Sequence, residues 1–167
     1  MSDSHPLPID IALSYATAGK PVFPVSPGSP YSQKAKTPLT RRGFKDATTD
    51  VEQIKRWWTD NPTACIAYPT GEPSGIICID VDRHDGGTDG FAELEALAVQ
   101  GFRLPAEMTV VETPSNGWHI LFRAPPGKVK SRKLSPAIDL KADGGYIVAA
   151  GSILSDGRSY RVIRRPA

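Results

Sequence analysis

The sequence predicts a mixed α/β fold (α+β) whose second half is a largely antiparallel sheet, and three observations carry that prediction. Apolar residues fall at helical spacing in three separate segments, each bounded by capping or stop residues. From Met108 onward the pattern changes to short runs rich in Val, Ile, Tyr and Phe. The turn signals between those runs are Pro114-Ser115-Asn116-Gly117, Pro125-Pro126-Gly127, Asp143-Gly144-Gly145 and Asp156-Gly157. Finally, 167 residues suit one domain, or two small lobes sharing a core, and 40% hydrophobic residues suffice to build it.

The elements follow in order. Ile9, Ala12, Leu13 and Ala16 place a helix over 9–18, with Gly19 as its stop. PVFPV at 21–25 reads as a short strand whose prolines favour a sheet edge. Residues 26–46, rich in Pro, Gly and Ser, read as a long loop. Asp50 caps a second helix, DVEQIKRWWTDN, which Asn61-Pro62 ends. Its tandem Trp57-Trp58 puts one ring inward and the other at a lobe boundary. Strands are expected at 65–70 and 75–82, then a helix over Gly90–Gln100 with Phe91, Leu94 and Leu97 on one face. Further strands are expected at 108–113, 117–124, 136–142, 146–151 and 159–163.

Composition excludes several classes. No apolar run approaches the length of a membrane span, and MSDSHPLPID lacks the layout of a secretion signal. Cys65 and Cys78 form no CxxC pair, which argues against zinc ribbons and disulfide frameworks and makes a cytoplasmic protein the default. A net charge of +2 does not announce a nucleic-acid binder, but its distribution does more. Lys34, Lys36, Arg41, Arg42 and Lys45 lie in a stretch without acids, as do Arg123, Lys128, Lys130, Arg132 and Lys133. Arg158, Arg161, Arg164 and Arg165 form a third cluster. Basic runs are commonly solvated loops; set around an acidic centre, they suggest a polyanion held about a metal site.

That centre is GIICIDVDRHDGG at 75–87, where an apolar strand runs into Asp80 and Asp82. Strand side chains alternate, so the two carboxylates share a face at roughly 7 Å. WHILF puts His119 opposite the apolar Trp118, Ile120 and Phe122; AIDLK puts Asp139 and Lys141 opposite Ile138 and Leu140. Three carboxylates, an imidazole and an ammonium group can therefore converge on one sheet face. Mg²⁺ or Mn²⁺ would resolve the repulsion, because both take carboxylate oxygens and substrate phosphates. Two such ions about 4 Å apart serve phosphoryl and nucleotidyl transfer. His119 and Lys141 suit a triphosphate better than a metal. A solvated Asp139 and a purely structural His119 remain open alternatives, and His5 and His84 lack the neighbours of a three-histidine zinc site.

Five stretches occur in a recognisable order: KTPLTRRGFKDATTD, WWTDNPTACIAYPTG, PSGIICIDVDRHDGG, TPSNGWHILF and IDLKADGGYIVAAGS. From about Gly19 to Tyr160 the chain resembles the N-terminal domain of bifunctional DNA primase/polymerases (prim-pol), in the archaeo-eukaryotic primase superfamily. The resemblance implies one catalytic domain over 1–167: an RRM-like catalytic sheet mainly from 74–163, joined to a smaller α/β lobe mainly from 9–70. It also implies that Asp80, Asp82 and Asp139 hold divalent metal while His119 contacts the nucleotide's phosphates. The second motif is often Ser-x-His in the family, whereas here it is Gly117-Trp118-His119, so Ser115 or the Gly117 N–H would replace the lost hydroxyl.

The activity implied is a DNA-dependent nucleotidyltransferase, a DNA primase or polymerase extending primers on single-stranded DNA with dNTP or NTP substrates and two Mg²⁺ or Mn²⁺ ions. Whether it also initiates primers is left open. Lys141 and His119, with Arg83 as a further candidate, would neutralise the triphosphate. Lys34, Lys36, Arg41 and Arg42, with Lys128, Lys130, Arg132 and Lys133, would hold the template backbone. Such domains open phage and plasmid replication proteins, often with a helicase after them; no GxxxxGK[ST] loop occurs within these residues. The rival reading is a single-stranded nucleic-acid binding module without catalysis, stacking bases on Trp57, Trp58 or Trp118. A DxD enzyme acting on nucleotide sugars is weaker still, and a relaxase would need a His-x-His pair that is absent.

Overall fold

A computed structural model describes residues 5–29, 34–83 and 87–166. The mixed α/β prediction holds: among the described residues three helices accompany two sheets, and every strand pairing within the sheets is antiparallel.

Helix α1 (Pro8–Thr17) opens on a proline, whose missing N–H costs nothing in a first turn. Helix α2 (Val51–Asp60) is capped as expected, the Asp50 carboxylate accepting from the Gln53 N–H at 2.7 Å. Both pack on one face of a three-stranded sheet ordered β1-β2-β8, made of Phe23–Val25, Cys65–Pro69 and Tyr146–Val148. Pro24 lies in the edge strand β1, where a missing donor is tolerated. Ile66, Tyr68 and Ile147 join the helices in one core; Phe23, Val25, Cys65, Ala67 and Val148 form a second core on the sheet's other face. Trp58 is buried, and Trp57 packs partly against both cores.

The larger sheet is ordered β6-β7-β3-β5-β4-β9. At its centre β3 (Ile76–Val81) lies between β5 (Trp118–Arg123) and β7 (Ile138–Lys141). β4 (Thr109–Glu112) and β9 (Arg161–Arg164) extend one side, and β6 (Arg132–Ser135) closes the other. Ile77, Ile79, Val81, Ile120, Ile138 and Leu140 point to one face, where Phe91, Leu94 and Leu97 of α3 (Gly90–Val99) cover them. The helix starts hard against the end of β3: a Cβ on Gly90 would lie 2.6 Å from the Asp82 carbonyl oxygen.

Three features differ from the sequence reading. A 3₁₀ turn, Gly43–Asp46, interrupts the expected loop. Residues 132–135, the first two of them read as the end of a basic loop, form edge strand β6, whose burial runs only from exposed to intermediate and shows no apolar alternation. β8 joins the small sheet by pairing with β2, a partner choice that alternation alone does not specify. Both cysteines are free and buried. Among the described residues no helix is long and apolar enough to cross a membrane.

Candidate active site

The registers of the large sheet align the polar residues in a row. Asp80 on β3 sits directly opposite His119 on β5 and opposite Asp139 on β7. Directly opposed residues in antiparallel strands project to the same face. One step along the same face, Cys78 opposes Leu121 and Lys141. Asp82 follows the strand end, but its N–H still bonds the Ala137 carbonyl at 2.9 Å, continuing the ladder by one bond. Its charge is felt at both His119 and Lys141. The face opposite α3 thus gathers Asp80, Asp139, His119 and Lys141, while Asp82 acts on the last two through its charge from beyond the strand end.

Their environments differ sharply. Burial pushes the Asp80 carboxyl above its ordinary pKa, against the opposing pull of the Lys141 and Lys36 charges. The Asp139 side chain, about one quarter exposed, accepts from Lys141 Nζ at 2.8 Å and from Lys133 Nζ at 3.3 Å. Its burial raises the carboxyl pKa, but these two lysines outweigh that and leave it below the ordinary value. Desolvation lowers the Lys141 ammonium pKa, yet the bond to Asp139 and the neighbouring acids turn the net shift upward. His119 Nε2 lies 3.6 Å from Asp80 Oδ1, beyond hydrogen-bond range. Neither His119 Nδ1 nor the Tyr160 hydroxyl has a hydrogen-bond partner among the described residues; their rings are 5.6 Å apart.

Burial drives the His119 pKa from 6.5 to about 3, so the imidazole is neutral near pH 7 and offers an N–H or a lone pair, not a charge. Between those two values the unfolded chain binds a proton that the folded chain refuses. Stability therefore falls as pH drops below 6.5, by about 1.4 kcal/mol per pH unit. Thermal denaturation from pH 7 to pH 5 should show this slope in the wild type. His119→Phe should flatten it by about 2 kcal/mol over that interval. An unchanged slope would mean that the histidine is solvated.

A cavity of about 410 Å³ opens on this row, lined by Asp80, His119 and Lys141 and, from the other lobe, by Lys36, Phe44 and Tyr146. Its size falls in the ordinary range for small-ligand sites. Among the described residues no group of three or more His, Cys, Asp or Glu side chains is arranged to hold a metal ion. Asp139 is engaged by two lysines instead. The donor chemistry nevertheless fits a hard cation: two directly opposed carboxylates, of which Asp139 keeps a lowered pKa despite its burial because two lysines face it.

Other sequence candidates lie elsewhere. Arg83 turns towards α3, 3.6 Å from Asp89 and 5.1 Å from the Phe91 ring centroid. Ser115 is exposed in the β4–β5 turn, and the Gly117 N–H is already donated to Thr113 Oγ1 at 3.1 Å; neither lines the cavity. His84 and Asp85 lie outside the described residues. Among the supposed template residues, Lys34, Arg41 and Arg42 lie outside the cavity, with Arg42 paired to Asp46 at 2.7 Å. Lys128 and Lys130 precede β6, while Arg132 and Lys133 lie on it. Phe44, Tyr146 and Tyr160 were not singled out by the sequence, although Tyr146 follows the Gly144-Gly145 turn of the last quoted stretch.

The stacking reading loses two of its three rings. Trp58 is buried and donates to the Ala64 carbonyl at 3.1 Å. Trp118 packs edge-on against Phe91, centroids 4.6 Å apart, on the face that α3 covers. Trp58 presents no surface for an incoming base, and Trp118 lies on the face away from the cavity.

No curated protein matches the chain. The family model for the N-terminal domain of bifunctional DNA primase/polymerases, Prim-Pol, matches residues 12–167, which include both sheets and every polar residue of the row. With nearly its whole length matched, the chain belongs to the Prim-Pol family, and its general function is that of a DNA primase/polymerase domain.

Proposed function

We propose that this domain is a metal-dependent nucleotidyltransferase that extends primers on single-stranded DNA. The observation that carries the reading is the register that sets Asp80 between His119 and Asp139, on a face opening into a nucleotide-sized cavity. Asp80, Asp82 and Asp139 would hold two Mg²⁺ or Mn²⁺ ions, which when bound activate the attacking hydroxyl and stabilise the leaving group. In the reaction the primer 3′-oxygen forms a bond to the α-phosphorus of the incoming nucleotide. The bond from the α-phosphorus to the oxygen bridging it to the β-phosphate breaks, pyrophosphate carries off that electron pair, and the hydroxyl proton passes to water.

This chain's own side chains position and neutralise. Lys141, kept protonated by its carboxylate neighbours, offers a fixed cation to the triphosphate. Neutral His119 offers a hydrogen bond without adding charge beside Asp80. Most of the rate enhancement in such chemistry comes from positioning and charge stabilisation. The exposed basic residues before β6 and on it, Lys128, Lys130 and Arg132, would track the template phosphates.

The test is incorporation of dNTPs into a labelled primer on single-stranded template, with and without Mn²⁺ or Mg²⁺. Extension that requires the divalent ion supports the reading. Template binding without any incorporation, under either metal, would contradict it.

A further inference from the structure

The sequence places Lys36 in a basic run whose natural role is template binding, but the structure separates it from that run. Lys34, Arg41 and Arg42 stay outside the cavity, whereas Lys36 lines it together with Asp80, His119 and Lys141. It reaches there from a turn of the small lobe held in a conformation that residues other than glycine rarely adopt, with φ of 69°. The turn is pinned on both sides. The Lys36 N–H donates to the Ser26 carbonyl at 2.8 Å, and its own carbonyl accepts the Tyr146 hydroxyl at 3.2 Å. The Ser26 N–H returns a bond to the Thr37 carbonyl at 2.8 Å.

The ammonium group at the end of this turn lies 5.8 Å from the centroid of the Tyr160 ring, the ring that also neighbours His119. No ion pair to a described residue engages it, in contrast to Lys141, which is bound to Asp139. Its charge reaches the row: it pulls the Asp80 pKa down and helps keep His119 neutral. Two cations from different lobes, exposed Lys36 and Asp139-paired Lys141, therefore face one small cavity in which a compact polyanion can meet both. A template backbone runs past a surface; a triphosphate tail fits into such a cavity.

We infer that Lys36 binds the polyphosphate of the incoming nucleotide, opposite Lys141, and is not a template contact. This rests on the nucleotidyl-transfer reading. It also means that the nucleotide site is shared by both lobes, with the Ser26–Tyr146 clamp setting where Lys36 stands.

The experiment measures two affinities in parallel for the full chain. Calorimetry with Ca²⁺ reads binding of dATP and of dAMP, and fluorescence anisotropy reads binding of a labelled oligo-dT. Lys36→Met keeps the length of the side chain and should weaken dATP by about 10-fold or more, the usual scale for losing a hydrogen bond between charged groups. It should leave dAMP and oligo-dT within about twofold, because template affinity is spread over many phosphate contacts. Lys36→Arg should restore most dATP affinity, which separates lost charge from a disturbed turn. A loss confined to oligo-dT, or equal losses for dATP and dAMP, overturns the inference. Wild-type protein that binds no dATP would instead sink the nucleotidyl-transfer reading itself, and the inference with it.

Discussion

Asp80→Asn should abolish primer extension while making the protein more stable at pH 7. The two effects have one cause. Asp80 lies mostly out of water, and burial raises its pKa despite the nearby Lys141 and Lys36. A folded-state pKa above the unfolded value means that the folded chain holds the proton more tightly. Above both values the charged carboxylate therefore works against folding. An amide of the same shape removes that cost. Activity should fall by roughly 100-fold or more, the scale on which a single group stabilising the transition state is missed. Thermal denaturation and extension assays on the same preparation check both halves. A variant that melts lower yet extends normally would make Asp80 a structural residue.

Gly117→Ala should be among the most damaging single-methyl changes in the chain. A Cβ at that position would lie 2.4 Å from the Val81 carbonyl oxygen and 3.1 Å from Thr113 Oγ1. The first contact is with backbone of β3, the strand that carries Asp80, so relief requires β3 and β5 to part where the row is assembled. Overpacking of this kind costs about 1–3 kcal/mol, and displacement of His119 relative to Asp80 should cost activity as well. Gly117→Ser, which restores the residue often found in the family's second motif, should fare no better. Chemical denaturation reads the loss directly; a serine variant as stable as wild type would mean that the two strands tolerate the wider spacing.

Much of this site was legible because strand alternation is a strict rule. Once Asp80, His119 and Asp139 were placed on strands opposite apolar residues, only the pairing remained unknown, and antiparallel pairing puts such residues on a common face. The partner of β8 was not legible, since Tyr146–Val148 is apolar enough for either sheet. Strand β6 was hidden by its own composition: Arg132 and Lys133 look like a loop and pair only along one edge. The basic run at 34–45 illustrates the same limit. Five cations fall between positions 34 and 45, but only the pinned turn at Lys36 shows which of them enters the cavity. The capped start of α2 was fully local, which is why Asp50 could be named in advance.

The central claim is that the aspartates at the end of β3 serve nucleotidyl transfer. Its most direct test is single-nucleotide incorporation on a primed single-stranded template with Mn²⁺, comparing wild type with Asp82→Ala. Circular dichroism would establish that both are folded, and anisotropy that both bind the template. Incorporation by the wild type and none above background by the variant, at equal template affinity, is the expected result. Equal incorporation by both proteins would contradict it, because the carboxylates would then be spectators of whatever chemistry the domain performs.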